Sequence, residues 1–228
     1  MGQIDCTGKS TREINREIRR LVADGEQEIV VRRPQARHNL GVAVLQPVDL
    51  VFEGGVGYYC AGMIDGPSVA VRGSAGWGVA EGMMSGTVTV EHNAGNSAAA
   101  GIRGGTVVVR GDVSARAGIA MKGGVLIVQG NSGYMTGFMM QKGTIVICGN
   151  AGEALADSMY EGRIFVGGEI AELGNDTVVQ DATPEEQELL TSLLQQHGVA
   201  GPRAFRKVVS GRRLWRFDKK DATWREAL

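Results

Sequence analysis

Apolar triplets recur along the chain at a fixed interval of nineteen residues: Leu50-Val51-Phe52, Val69-Ala70-Val71, Val88-Thr89-Val90, Val107-Val108-Val109, Leu126-Ile127-Val128, Ile145-Val146-Ile147 and Ile164-Phe165-Val166. No insertion breaks the series. A unit this short cannot bury its own apolar face and must stack on its neighbours, so a fixed short period points to a solenoid. Within each triplet the β-branched bias and the period of two predict a strand whose first and third side chains face inward.

The residues between the triplets repeat as well. Each strand is followed by a corner of Gly, Asn or Ser, as in Glu91-His92-Asn93-Ala94-Gly95, Gln129-Gly130-Asn131-Ser132-Gly133 and Cys148-Gly149-Asn150-Ala151-Gly152, with Gly76 closing the equivalent corner earlier. Gly and Asn tolerate positive φ, so Gly76, Gly95, Gly133, Gly152, Asn93, Asn131 and Asn150 are expected as structural turn residues. Ahead of each later strand stands a small residue (Ala61, Ala80, Ala99, Gly118, Gly137, Ala156), and three further on a large apolar one (Ile64, Met83, Ile102, Met121, Met140, Met159). Small stacks on small and large on large. The expected fold is therefore all-β: a right-handed parallel β-helix of about seven nineteen-residue coils, right-handed because parallel crossovers are. At a coil spacing of about 4.8 Å the rod is roughly 30 to 35 Å long. A left-handed hexapeptide helix would need a six-residue subperiod, and a leucine-rich repeat would need Leu and Asn at offsets absent from this chain.

The ends follow other patterns, and divide the chain into residues 1–48, 49–182 and 183–228. Ser10-Thr11-Arg12-Glu13 is a capping box, and Ile14, Ile18, Leu21 and Val22 lie on one face of a helix ending near Gly25; a strand over Glu28 to Arg32 follows. Such a helix plugs the open end of a solenoid. Thr183-Pro184-Glu185-Glu186 opens a second helix, which Gly198 ends. Lys207 to Phe217 reads as a basic hairpin around Ser210-Gly211.

Composition narrows the chemistry. With 228 residues, 43% of them apolar, the chain can bury one sizeable core, and its 35 glycines belong to repeat positions. A formal net charge of −1 gives no general pull toward nucleic acid or membrane. Cys6, Cys60 and Cys148 are far apart and form no C-x-x-C pair for zinc, iron-sulfur or redox work, which fits a reducing cytoplasm. No secretory h-region and no membrane-spanning apolar run is visible. The carboxylate and lysine cluster of a carbohydrate-active β-helix is missing, and His38, His92 and His197 are scattered. Gly76-Trp77-Gly78-Val79-Ala80-Glu81-Gly82 is followed by no helix and lacks an acidic ribose partner, so it is no dinucleotide loop. No catalytic, cofactor-binding or metal-ligating residue is assigned.

One feature points to a partner. The middle strand positions, Val51, Ala70, Thr89, Val108, Ile127, Val146 and Phe165, should face outward and form an apolar stripe along the rod. Water-exposed stripes of that extent are unusual, so it is covered either by the chain's own terminal helices or by another subunit. Val51, Val108, Ile127, Val146 and Phe165 are the candidate interface residues on this stripe. Arg212, Arg213 and Trp215 are those of the basic tail, which an intramolecular role or an acidic partner surface would explain better than nucleic acid.

The run Gly95-Asn96-Ser97-Ala98-Ala99-Ala100-Gly101-Ile102-Arg103-Gly104-Gly105-Thr106-Val107-Val108-Val109, with its glycine corner, small-x-x-apolar segment and T-V-x-V strand, resembles the C-terminal β-helix domain of the glutamate synthase large subunit, the GXGXG domain. The opening Ile4-Asp5-Cys6-Thr7-Gly8-Lys9-Ser10-Thr11-Arg12-Glu13-Ile14-Asn15 is similar to the start of its stand-alone versions. The resemblance covers essentially the whole chain and is nearest to the β-helix subunit of an N-methylglutamate synthase, with that of a split glutamate synthase as the alternative; the C subunit of formylmethanofuran dehydrogenase is a more distant member. It implies a hetero-oligomer in which a class II glutamine amidotransferase-like subunit and an FMN-binding glutamate synthase-like barrel subunit with an iron-sulfur cluster do the chemistry. The β-helix would brace them and bind no cofactor itself. The overall reaction would then be formation of N-methylglutamate from glutamate and methylamine, or of glutamate from glutamine and 2-oxoglutarate. An autonomous carbohydrate-active β-helix is the competing expectation.

Overall fold

The computed structural model describes residues 1–214. Strands β1 (Gly2–Asp5), β2 (Glu28–Arg32), β3 (Asp49–Glu53), β4 (Asp65–Val71), β5 (Ser85–Val90), β6 (Thr106–Val109), β7 (Lys122–Val128), β8 (Lys142–Ile147) and β9 (Arg163–Val166) stack in chain order in one parallel sheet. The register follows the sequence period: Leu50 lies beside Val69, Val69 beside Val88, Val88 beside Val107, and so on to Ile164. The fold is a right-handed parallel β-solenoid. The stack also starts before the strict repeat, because Ile29 pairs with Leu50 and Ile4 with Val31 across intervals longer than nineteen residues.

Each coil has a second, narrow ladder on the far side of the corner. Single bridges join Val56, Ala75, Ala94, Val113, Ser132, Ala151 and Ile170 in parallel. Between this ladder and the next strand the chain runs through a turn segment in which every second residue has positive φ. Tyr59, Ala61 and Met63 do so in one coil, and Arg116, Gly118 and Ala120 in another. A left-handed residue other than glycine costs about 1 kcal/mol or more. Neighbouring coils supply the compensation: the Tyr59 amide donates to the Trp77 carbonyl, Ala61 to Leu40, and Met63 to Glu81. The small residues of the sequence repeat are the middle members of these triples, buried with positive φ.

The corners hold a correction. Gly76, Gly95, Gly133, Gly152, Asn93, Asn131 and Asn150 are turn residues, but none has positive φ. The glycines are required by contact between coils: a Cβ at Gly133 would stand 2.9 Å from the Ser114 carbonyl carbon, and one at Gly76 2.7 Å from that of Gly57. The asparagines form a ladder of side-chain acceptors. Asn93 Oδ1 accepts from the Asp112 amide at 2.9 Å, Asp112 Oδ1 from Asn131 at 2.7 Å, Asn131 Oδ1 from Asn150 at 2.9 Å, and Asn150 Oδ1 from Glu169 at 2.8 Å.

Inside the coils the inward strand residues and the column Ile64, Met83, Ile102, Met121, Met140 and Met159 are fully buried in one continuous core. Helix α1 (Thr11–Ala23) closes one end, capped by the Ser10–Glu13 box and placing Ile14 and Ile18 in that core. At the other end the expected hairpin takes another form. Strand β11 (Arg206–Ser210) inserts antiparallel between β9 and β10 (Thr177–Asp181). The open ladder of β9 supplies the partner for β11, and Val208 is fully buried there. Beyond Ser210 the amides of Arg213 and Leu214 donate to the Asp176 carboxylate, which turns the chain toward β10. Trp215 and the rest of the expected second arm lie outside the described residues.

Candidate docking surface

Helix α2 (Pro184–Gln196), capped by the Thr183–Glu186 box, lies across the outward face of the sheet. It packs Leu190 and Leu194, joined by Val199 and Phe205, onto Val108, Ile127, Val146 and Phe165. These four side chains are at most 2% exposed. Of the two coverings expected for this stripe, the chain's own helix is the one present over these four residues, and it removes them from water. Arg110 ties the end of α2 down, donating to the Gly198 and His197 carbonyls at 2.9 and 3.3 Å while pairing with Glu91. Val51, Ala70 and Thr89 lie beyond the cluster that α2 covers and are half-buried.

The basic end is engaged within the chain. Lys207 Nζ holds the Glu186 carboxylate at 2.9 Å, and an Arg206 guanidinium nitrogen donates to the Gly168 carbonyl at 2.7 Å. Arg212 lines a cleft of about 620 Å³ with Lys142, Arg163, Glu186 and Lys207, and Arg213 is held through its amide. The strand carrying Arg206 and Lys207 is thus folded onto the rod, and Arg212 and Arg213 just beyond it are exposed.

Groups capable of chemistry are dispersed. The three histidines sit in three different elements, and among the described residues no group of three His, Cys, Asp or Glu could hold a metal ion. Burial, then the charge of Arg110, lowers the His197 pKa. The buried Asp157 is used structurally: one carboxylate oxygen accepts from the Asn175 amide and side chain at 3.0 and 2.8 Å, the other from Ser158 at 2.6 Å. Desolvation pushes the Cys148 thiol up to about 11, and the Cys60 thiol higher still, so both are protonated and poorly nucleophilic near neutrality.

The exposed apolar side chains are elsewhere. Between residues 49 and 168 the large ones are Tyr58, Tyr59, Met63, Trp77, Met84, Tyr134 and Met139, all in turn segments or directly after one. His38, Tyr58 and Trp77 stack ring on ring, with centroids 4.4 and 5.0 Å apart. The outward surface of the coils is thus divided: α2 covers the sheet face over β6 to β9, and the turn segments carry these exposed side chains. Sequence reasoning passed over the turn face because it treated Trp77 only as part of a glycine-rich loop. The nineteen-residue offset from Tyr58 to Trp77 was the available signal.

A stack of coils with a solid apolar core, ends closed by helix and strand, and contacts left to its outer faces defines a right-handed parallel β-solenoid. Residues 35–207 match the GXGXG motif family, and the chain belongs to it. Protein GlxC of Rhizobium meliloti (strain 1021) is 44% identical over 87 residues, a match that spans 38% of this chain and 38% of GlxC. A chain in the X-ray crystal structure of the formyltransferase/hydrolase complex (FhcABCD) from Methylorubrum extorquens, in complex with methylofuran, superposes with a TM-score of 0.68. That likeness is one of fold, at 24% sequence identity, and covers 87% of this chain and 85% of the other.

Proposed function

We propose that this chain is a scaffold subunit of a hetero-oligomeric enzyme complex of the glutamate synthase type, contributing geometry and no active site of its own. The observation that carries this reading is the GXGXG match across residues 35–207 of a rod whose exposed large apolar side chains between residues 49 and 168 lie in its turn segments or directly after them. A continuously hydrogen-bonded stack is stiff, and stiffness is what a spacer between two active sites needs. The partners in this reading are a class II glutamine amidotransferase-like subunit and an FMN-binding barrel subunit with an iron-sulfur cluster. A split glutamate synthase is the form of complex we favour, and an N-methylglutamate synthase, which would take glutamate and methylamine in place of 2-oxoglutarate and glutamine, is its close variant. The likeness to a chain of the formyltransferase/hydrolase complex supports a second reading, a β-solenoid subunit of a formyl-transferring complex.

Co-expression with the two cognate subunits tests the proposal. The expected result is a stable assembly containing all three, with the FMN absorbance absent from this chain purified alone. Flavin retained by the isolated chain overturns the scaffold reading. An assembly that forms only with formyltransferase-type subunits replaces the first reading by the second.

A further inference from the structure

The whole chain is nearly neutral, but its charge is unevenly placed. Between His92 and Gly152 the only carboxylate is Asp112, against Arg103, Arg110, Arg116, Lys122 and Lys142. Asp112 is engaged in the asparagine ladder and Arg110 by Glu91 and the end of α2. The other four cations have no ion pair among the described residues, and all four are exposed.

Three of them are stacked. The Arg103 amide donates to the Met83 carbonyl, Lys122 to Ile102, and Lys142 to Met121, so all three stand where the turn segment passes into the strand, Lys122 and Lys142 as the first residues of β7 and β8 and in direct register. Side chains on successive coils start only about 4.8 Å apart. Like charges held at that spacing repel, and among the described residues none of the three is in an ion pair, while Lys142 shares a cleft with Glu161 and Glu186. The turn segments ahead of Arg103 and Lys122 end in the small residues Gly101 and Ala120, and the one ahead of Lys142 ends in the exposed Met139. Apolar groups stand at either end of this basic stretch, Trp77 and Met84 on one side and Tyr134 and Met139 on the other. A stretch of exposed cations flanked by aromatic and Met side chains is suited to a protein surface of opposite charge with apolar anchors at its ends.

We propose that the turn face docks a partner subunit whose contact surface carries carboxylates opposite Arg103, Lys122 and Lys142 and apolar side chains against Trp77 and Tyr134. The inference rests on the scaffold reading and adds to it the face used and the chemistry of the partner. The opposite sheet face is excluded over β6 to β9, where α2 lies on it.

The test uses the full chain with its cognate amidotransferase-like and flavin-barrel subunits. The triple variant Arg103→Glu, Lys122→Glu, Lys142→Glu is compared with Arg12→Glu, Arg16→Glu, Arg19→Glu on α1, which changes net charge equally, and unchanged thermal melting shows that both fold. The expected result is binding of at least one subunit weakened about tenfold or more by the first variant and little by the second, with a parent affinity that falls as salt rises. Trp77→Ala should weaken the same subunit. Assembly that is equal for the parent and the turn-face variant overturns this inference and leaves the scaffold reading intact. A parent chain that binds neither subunit overturns both. Retention of a short DNA duplex by the parent, lost in the turn-face variant, overturns the protein partner in favour of nucleic acid.

Discussion

A methyl group added at Gly133 would press on the backbone of the coil below, 2.9 Å from Ser114 C and 3.0 Å from Ala115 N, whereas one added at Gly101 meets nothing within 4 Å. The two glycines have different causes, close approach at the first and a φ of +60° at the second. Gly133→Ala should therefore destabilise by about 1–3 kcal/mol as an overpacked contact. Gly101→Ala should cost about 1 kcal/mol from left-handed strain alone, and denaturant midpoints of the two variants measure the difference. The buried thiols make a prediction about pH. Cys148 is raised from 9.0 to about 11, and Cys60 further. As pH rises above about 9 the unfolded chain releases these protons and the native chain keeps them, so stability falls toward alkaline pH. Unfolding at several pH values checks this, and Cys148→Ala should flatten the decline. At this scale the sequence showed which residues recur but not always why. Asn131 was legible as a corner residue; its role as acceptor for the next coil depends on a neighbour nineteen positions away in the stack.

Helix α2 decides which surface of the rod is open. Its capping box, its Pro184 start and its end near Gly198 were readable because they are local. Where it docks was not, since Leu189, Leu190, Leu193 and Leu194 make a broad apolar band that does not specify its partner, and Leu189 in fact stays exposed. The outward stripe was legible as apolar from the period of two, yet the sequence left two ways to cover it. The structure chose the intramolecular one over Val108 to Phe165. Leu194→Ala should cost about 2–5 kcal/mol, the usual range for a buried Leu, if global unfolding is measured. It should also speed alkylation of Cys148, which borders the same cluster. Unchanged alkylation would mean that α2 is not what protects this face. The terminal strands show the same division between local and distant causes: Lys207 to Ser210 reads as strand, but its place between β9 and β10 depends on the open ladder of the last coil.

For the whole molecule, the repeat carried most of the fold, because nearest-neighbour stacking turns a one-dimensional period directly into a three-dimensional rod. The functional surface was harder to read. It is made of residues that are unremarkable within their own coil and become a face only when stacked, as Arg103, Lys122 and Lys142 do. In the proposed function the rod joins other subunits and supplies no active site. Native mass measurement of the amidotransferase-like and flavin-barrel subunits, mixed with and without this chain, tests it most directly. The expected result is a three-part assembly in its presence and separate subunits in its absence, with all the flavin on the barrel. Equal association of the two subunits without the chain, or flavin carried by the chain itself, would contradict it.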